Sequence, residues 1–225
     1  MPEQKTIAIS DAAQSAITSL PSHLTERYRD WQNDGYDADL CATLAGGQSP
    51  HSMVISCCDS RVNATKFFQT DHGEFFIHRN IANIVPVCDP KGAHHSTAAA
   101  LEYAVTVLNV SHIMIIGHSA CGGIKGGHQQ CQDASMHPRD FGSLHQWLHL
   151  IKPAYDRLDH NLPEDEQIHE LEKLSVIVSL EHLMSYDFIR DAVAAKTLSL
   201  HGLWHDIGSG ALLNFNPERG AFTAL

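Results

Sequence analysis

Three residues in this chain have the types and spacing to hold a metal ion. Cys57 stands in Cys57-Cys58-Asp59-Ser60-Arg61, and His118 and Cys121 stand in Gly117-His118-Ser119-Ala120-Cys121-Gly122-Gly123. Thiolate and imidazole together suit Zn²⁺, and the short spacing lets His118 and Cys121 converge on one ion at the start of a helix. Three protein ligands leave one tetrahedral position open for water or substrate, which separates a catalytic site from a structural one. Each half is weak alone: a cysteine at a strand end is commonly a small core residue. The glycines after Cys121 also suggest a phosphate-binding loop, but neither G-x-G-x-x-G nor G-x-x-x-x-G-K-[ST] is present.

Asp59 lies two residues from Cys57, and Arg61 is placed to keep its carboxylate ionised through a charge-assisted pair. An ionised carboxylate beside a metal accepts a hydrogen bond and donates none, so it can orient a hydroxide. The plainer reading of the pair is a surface ion pair worth about 0–1 kcal/mol. Two thiolates and a neutral imidazole bring the formal charge at zinc to zero, so such a site relies on neighbouring groups. Cys58 is expected to be a core thiol facing away from the metal, because successive strand residues alternate faces.

The elements that must position these groups follow from apolar patterning. Ser52–Cys58, Glu74–His78 and His112–Gly117 read as buried strands, and Thr197–Ile207 as a final strand before a turn at Gly208-Ser209-Gly210. Ser96–Leu108 has helical spacing, Ala120–Gly127 begins a helix or turn, and Ser175–Lys196 is the longest helical pattern. Ala12–Gly46 reads as two or three helices broken near Pro21 and Gly35. The expected fold class is α/β: a mostly parallel central sheet flanked by helices, with an N-terminal helical extension, forming one domain over residues 1–225. In such sheets functional groups gather beyond the carboxyl ends of strands, where both chemical motifs sit.

Composition narrows the function. The chain has 225 residues, 43% hydrophobic and 18% charged, which is enough for a core. A net charge of −11 argues against a nucleic-acid partner. The first ten residues lack a secretory leader pattern and no apolar run is long enough to span a bilayer, so a cytoplasmic location without membrane association is expected. The six cysteines are then read as ligands, nucleophiles or core residues rather than disulfides.

Together the motifs resemble the β-class carbonic anhydrases. C-x-D-S-R at one strand end and H-x-x-C-G-G at another carry the likeness. Gly47-Gln48-Ser49-Pro50, His78-Arg79-Asn80-Ile81-Ala82-Asn83, Glu102-Tyr103-Ala104-Val105 and His201-Gly202-Leu203-Trp204 extend it. The resemblance implies one Zn²⁺ per chain on Cys57, His118 and Cys121, and reversible hydration of CO₂ to bicarbonate by a zinc-held hydroxide that the Asp59–Arg61 dyad orients. It implies that Gln48 donates to substrate oxygen. Phe76, Ile81 and Tyr103 would line a narrow apolar cleft contributed in part by a second subunit, with Gly122 offering a backbone N–H near the metal. The same residues admit the bland reading of core packing for Phe76, Ile81 and Tyr103. A homo-oligomer follows, a dimer or dimer of dimers, with residues 1–46 as an arm on the partner subunit.

Some members of that family carry an inhibitory bicarbonate site built from Trp, Arg and Tyr. The corresponding residues here are Val54, Arg79 and His205, which predicts an enzyme lacking that regulated state. Competing readings are a carbon disulfide or carbonyl sulfide hydrolase of the same fold, a non-catalytic zinc module closed by Asp59, and a thiol redox protein using Cys57 and Cys58.

Overall fold

The computed structural model describes residues 7–92, 95–133 and 142–225. Residues 1–6, which open the segment read for a leader, lie outside the described residues. Two compact units result, Met1–Gly47 and Gln48–Leu225.

In the first unit, α1 (Asp11–Ala16), α2 (Ser22–Asp30) and α3 (Ala38–Leu44) match the breaks expected at Pro21 and near Gly35. Ser10 Oγ accepts from the Ala13 N–H, and Asp37 Oδ1 from the Leu40 N–H, so two of the three starts are capped by side chains. None of its described residues is buried. Helices this short are marginal without tertiary packing.

The second unit is built on a six-stranded sheet in the order β2-β1-β3-β4-β5-β6. β1 (Ser52–Cys57), β2 (Phe75–Asn80), β3 (His112–His118) and β4 (Ser199–His205) are parallel. The Met53–Ile55 and Ile113–Ile116 runs are apolar because these central strands are covered on both faces. β5 (Leu212–Asn216) and β6 (Ala221–Ala224) add an antiparallel pair that the sequence did not announce, so β4 is not the last strand. Every residue of β5 is only partly buried, and its Leu-Leu-Asn-Phe-Asn pattern lacks a clean apolar face.

Helices close the faces. Between the sheet and α5 (His95–Glu102), α9 (Glu164–Leu183) and α10 (Asp187–Ala194) lies the largest core, including Met53, Ile55, Leu101, Ile113, Ile115, Val176, Leu183 and Ile189. Ser96–Leu108 is helical as expected but changes to a π-turn over Tyr103–Val107. The Ser175–Lys196 pattern is two helices, since the chain turns at Met184–Tyr186 between α9 and α10. Glu164, Asp165 and Glu166 in the first turn of α9 favour its positive end. α6 (Gly122–Gln132), α7 (Ser143–Leu148) and α8 (Lys152–Tyr155) pack near the carboxyl ends of β1 and β3. On the opposite face Val54, Ile116 and Leu203 gather with Ala64 of α4 (Ala64–Phe67).

The chain leaves β1 to form β2 on one side and returns to place β3 on the other. The crevice between the carboxyl ends of β1 and β3 is therefore the switch point of the sheet, the usual place for a ligand in such folds.

Candidate metal centre

Cys57 is the last residue of β1 and His118 the last of β3, while Cys121 immediately precedes α6. All three are buried, and their ligand atoms lie within 4.8 Å of one another. The Sγ atoms of Cys57 and Cys121 are 3.9 Å apart. Two thiolates bound to one tetrahedral Zn²⁺ at about 2.3 Å would be about 3.8 Å apart.

His118 gives the sharper test. Its Nδ1 sits 3.0 Å from the Ser119 carbonyl oxygen, which can only accept, so Nδ1 carries the proton. The lone pair is thereby placed on Nε2, a buried atom with no hydrogen-bond partner. An orphaned imidazole nitrogen facing two thiols is the donor set of a zinc site, and the residues fit the ion. Among the described residues no other group of three such donors converges.

The thiols behave as a pair. Cys57 is pulled down to about 4, first by the hydrogen bond from Cys121 and further by His118 and the Ala82 N–H, against burial. Cys121 is pushed up by the neighbouring Cys57 and by burial. A cation held by these residues would favour the thiolate form of both cysteines.

Backbone shape sets these positions. Ala82 (φ 63°) and Ala120 (φ 53°) both adopt the left-handed region, which alanine rarely enters outside functional sites. Ala82 thereby donates its N–H to Cys57 Sγ at 3.3 Å. Gly123 must be glycine, because a Cβ there would lie 2.8 Å from Ile81 Cγ2 and 3.0 Å from Ala82 Cβ.

Asp59 lies just beyond β1. Arg61 Nε donates to its Oδ1 at 2.9 Å and Nη2 to its Oδ2 at 2.6 Å, while the Arg61 backbone N–H also donates to Oδ1 at 2.9 Å. Arg61 holds this carboxyl well below the usual carboxylate range. Nη2 further donates to the Ala120 carbonyl at 3.1 Å, tying the dyad to the loop that carries His118 and Cys121.

Cys58 departs from expectation. The strand ends at Cys57, so face alternation no longer governs the next residue, and Cys58 is exposed rather than a core thiol. It borders a cavity of about 360 Å³ with His78, Arg79, Asn80, Ile81 and Trp147.

The expected substrate-pocket residues divide. Gly122, the first residue of α6, and Ile81, against Gly123, belong to the metal end. Phe76 pairs in register with Met53, near the opposite end of β1, and its ring lies 5.8 Å from that of Tyr103. Gln48 precedes the first residue of β1 and is exposed. Phe76 stands four residues, about 13 Å of strand, before Asn80, the register partner of Cys57, so it does not sit beside the metal ligands of its own chain.

One contributor, Glu172, was missed from sequence, and a second, Arg79, was singled out there only for the family motif and the inhibitory bicarbonate site. Glu172 of α9 is buried and its Oε1 accepts the Cys121 N–H at 3.1 Å; burial pushes its carboxyl up. Its only sequence signal is a charge flanked by the core positions Leu171 and Ser175. Arg79 directs Nε and Nη2 at the Cys57 carbonyl (2.9 and 2.7 Å), with Nη2 also at the carbonyls of Asp59 (2.7 Å) and Val62 (2.9 Å). Val54 is in the core, and His205 is buried with Nδ1 3.2 Å from the Ala211 carbonyl oxygen.

The family model for carbonic anhydrase matches residues 52–212. With the sheet and the Cys-His-Cys centre, this establishes that the chain belongs to the carbonic anhydrase family, in its β class. The chain is 39% identical over 174 residues to beta carbonic anhydrase 3 of Arabidopsis thaliana, a match covering 76% of this chain and 66% of that relative's length. The solved structure of the beta-carbonic anhydrase CcaA superposes with a TM-score of 0.82 at 27% identity, covering 91% of this chain and 98% of that one. A tetrameric beta-carbonic anhydrase of Sordaria macrospora is 34% identical, with a TM-score of 0.67 and coverage of 95% and 98%. Among the described residues no helix is long and apolar enough to cross a membrane.

Proposed function

We propose that this protein catalyses the reversible hydration of carbon dioxide to bicarbonate and a proton, with one Zn²⁺ per chain held by Cys57, His118 and Cys121. The observation that carries this reading is the buried, unpartnered His118 Nε2 beside two thiols, a three-donor set with an ionised carboxylate just beyond it. When bound, the ion supplies acidification of a coordinated water.

The chain supplies the rest. Asp59 offers an acceptor only, since Arg61 keeps it ionised, and it thereby fixes the direction of a hydroxyl proton beside the metal. Both Asp59 oxygens are engaged by Arg61, which speaks against a closed zinc module in which Asp59 is the fourth ligand. Gly122 exposes a backbone N–H at the start of α6, where developing negative charge is favoured. Arg79 spends its Nε and one Nη on backbone carbonyls, in keeping with an enzyme without the inhibitory bicarbonate state.

Gln48, Phe76 and Tyr103 act in this reading from a second copy of the chain. The pocket of a homo-oligomer, a dimer or dimer of dimers, would combine the metal end of one protomer with these residues of its partner. The N-terminal helices, which bury no residue of their own, would pack on that partner. The setting is cytoplasmic, and no nucleic acid or membrane takes part.

The test is stopped-flow CO₂ hydration on protein of measured zinc content, beside Cys57→Ala and Asp59→Ala. Zinc near one per chain with rapid hydration is expected. Cys57→Ala should lose both, and Asp59→Ala should lose hydration alone. Zinc present without hydration across pH 7–9 overturns the reading, and carbonyl sulfide then becomes the substrate to assay.

A further inference from the structure

The same two strands that end at the metal centre carry a second pair of imidazoles at their other end. His112 is the first residue of β3, six residues or about 20 Å along the strand from His118. His112 lies opposite Ser199 and Met114 opposite His201, so His112 and His201 are diagonal neighbours on one face of the sheet. Their rings lie 5.2 Å apart, and His112 Nδ1 is 3.1 Å from His201 Nε2.

We propose that His112 and His201 form a second binding site, exposed to solvent, for a divalent transition-metal ion of the zinc, nickel or copper kind. Two imidazole nitrogens bound to one ion at about 2.0–2.1 Å are about 2.9 Å apart at a right angle and about 3.4 Å apart at the tetrahedral angle. The observed separation falls inside that interval. The ligands sit on adjacent hydrogen-bonded strands, so the pair is brought together by the sheet and little ordering is needed on binding. Burial and the neighbouring His112 lower the basicity of His201, which favours the neutral ligand form. His112 is exposed and His201 half-buried, leaving water to complete the coordination. The rival for the same geometry is a plain hydrogen bond between two neutral rings, in which a proton takes the place of the ion.

With 17 histidines in the chain, location matters as much as stoichiometry. Protein already holding its Cys57–His118–Cys121 zinc is titrated with Ni²⁺ and with Zn²⁺ by calorimetry, beside His112→Ala and His201→Ala. A further equivalent per chain is expected in the wild type. It should weaken at least about tenfold in either variant, the minimum for losing a direct ligand when an outer partner alone costs about 10–100-fold. The zinc already bound should be unchanged, which separates this site from the metal centre. On wild-type protein alone, substoichiometric Cu²⁺ should broaden the ring resonances of His112 and His201 ahead of the other histidines, so the inference survives a variant that fails to fold. No further equivalent in the wild type, an equivalent that persists in both variants, or Cu²⁺ broadening that spares these two rings would overturn it.

Discussion

The backbone N–H of Cys121 donates to the buried Glu172 carboxylate, N to Oε1 at 3.1 Å, so a helix on the far side of the ligand loop fixes where that thiol stands. Glu172→Gln keeps an acceptor there and should leave zinc content close to wild type. Glu172→Leu strands a buried N–H, which costs about 1–3 kcal/mol. Urea unfolding of the three proteins measures the difference, and equal midpoints for Gln and Leu would show the contact to be idle.

Asp59→Asn should retain zinc while CO₂ hydration falls by about 10–100-fold, the range seen when a partner that orients metal chemistry is lost. Arg61→Lys should not rescue the geometry, because an ammonium cannot match the carboxylate at two points. Zinc analysis and stopped-flow rates on the same samples separate loss of metal from loss of orientation.

Gly117 precedes His118, and a Cβ at that position would lie 2.7 Å from Val176 Cγ2 and 3.2 Å from the Glu172 carbonyl oxygen. Gly117→Ala should destabilise the protein by about 1–3 kcal/mol through overpacking, and should also tilt the ligand. Thermal unfolding with and without a chelator checks both effects.

Asp206 is lowered to about 2 by hydrogen bonds, first from the Ser209 side chain and then from the Ser119 side chain. A folded value below the unfolded 3.8 means its contribution is complete above 3.8 and is lost as pH falls through about 2. The stability gap between wild type and Asp206→Asn should therefore be wider at pH 6 than at pH 3, by urea unfolding. A gap independent of pH would show that the charge adds nothing.

Much of this was legible in the chain. The apolar runs of β1 and β3 announce themselves because central parallel strands are dry on both faces, and Cys57, His118 and Cys121 stand where those runs stop. Hidden features have physical causes. β5 and β6 are half-exposed and antiparallel, so their residues show no continuous apolar signal. The break between α9 and α10 contains no proline or glycine, only Met184-Ser185-Tyr186. Cys58 escaped because strand alternation was carried one residue past the strand's end. Glu172 reads as a solvated helix charge until the fold turns it onto Cys121.

Arg79 gathers the carbonyls of Cys57, Asp59 and Val62 onto one guanidinium. The segment from the thiol ligand through the dyad is therefore clamped as a single rigid plate, bolted to β2 rather than floating as a loop. The Cys57 thiol and the Asp59 carboxylate keep their mutual bearing because they ride on the same piece of backbone. A disturbance in β2 that never touches the chemistry would shift both together, and the alignment between them would be the last thing to go.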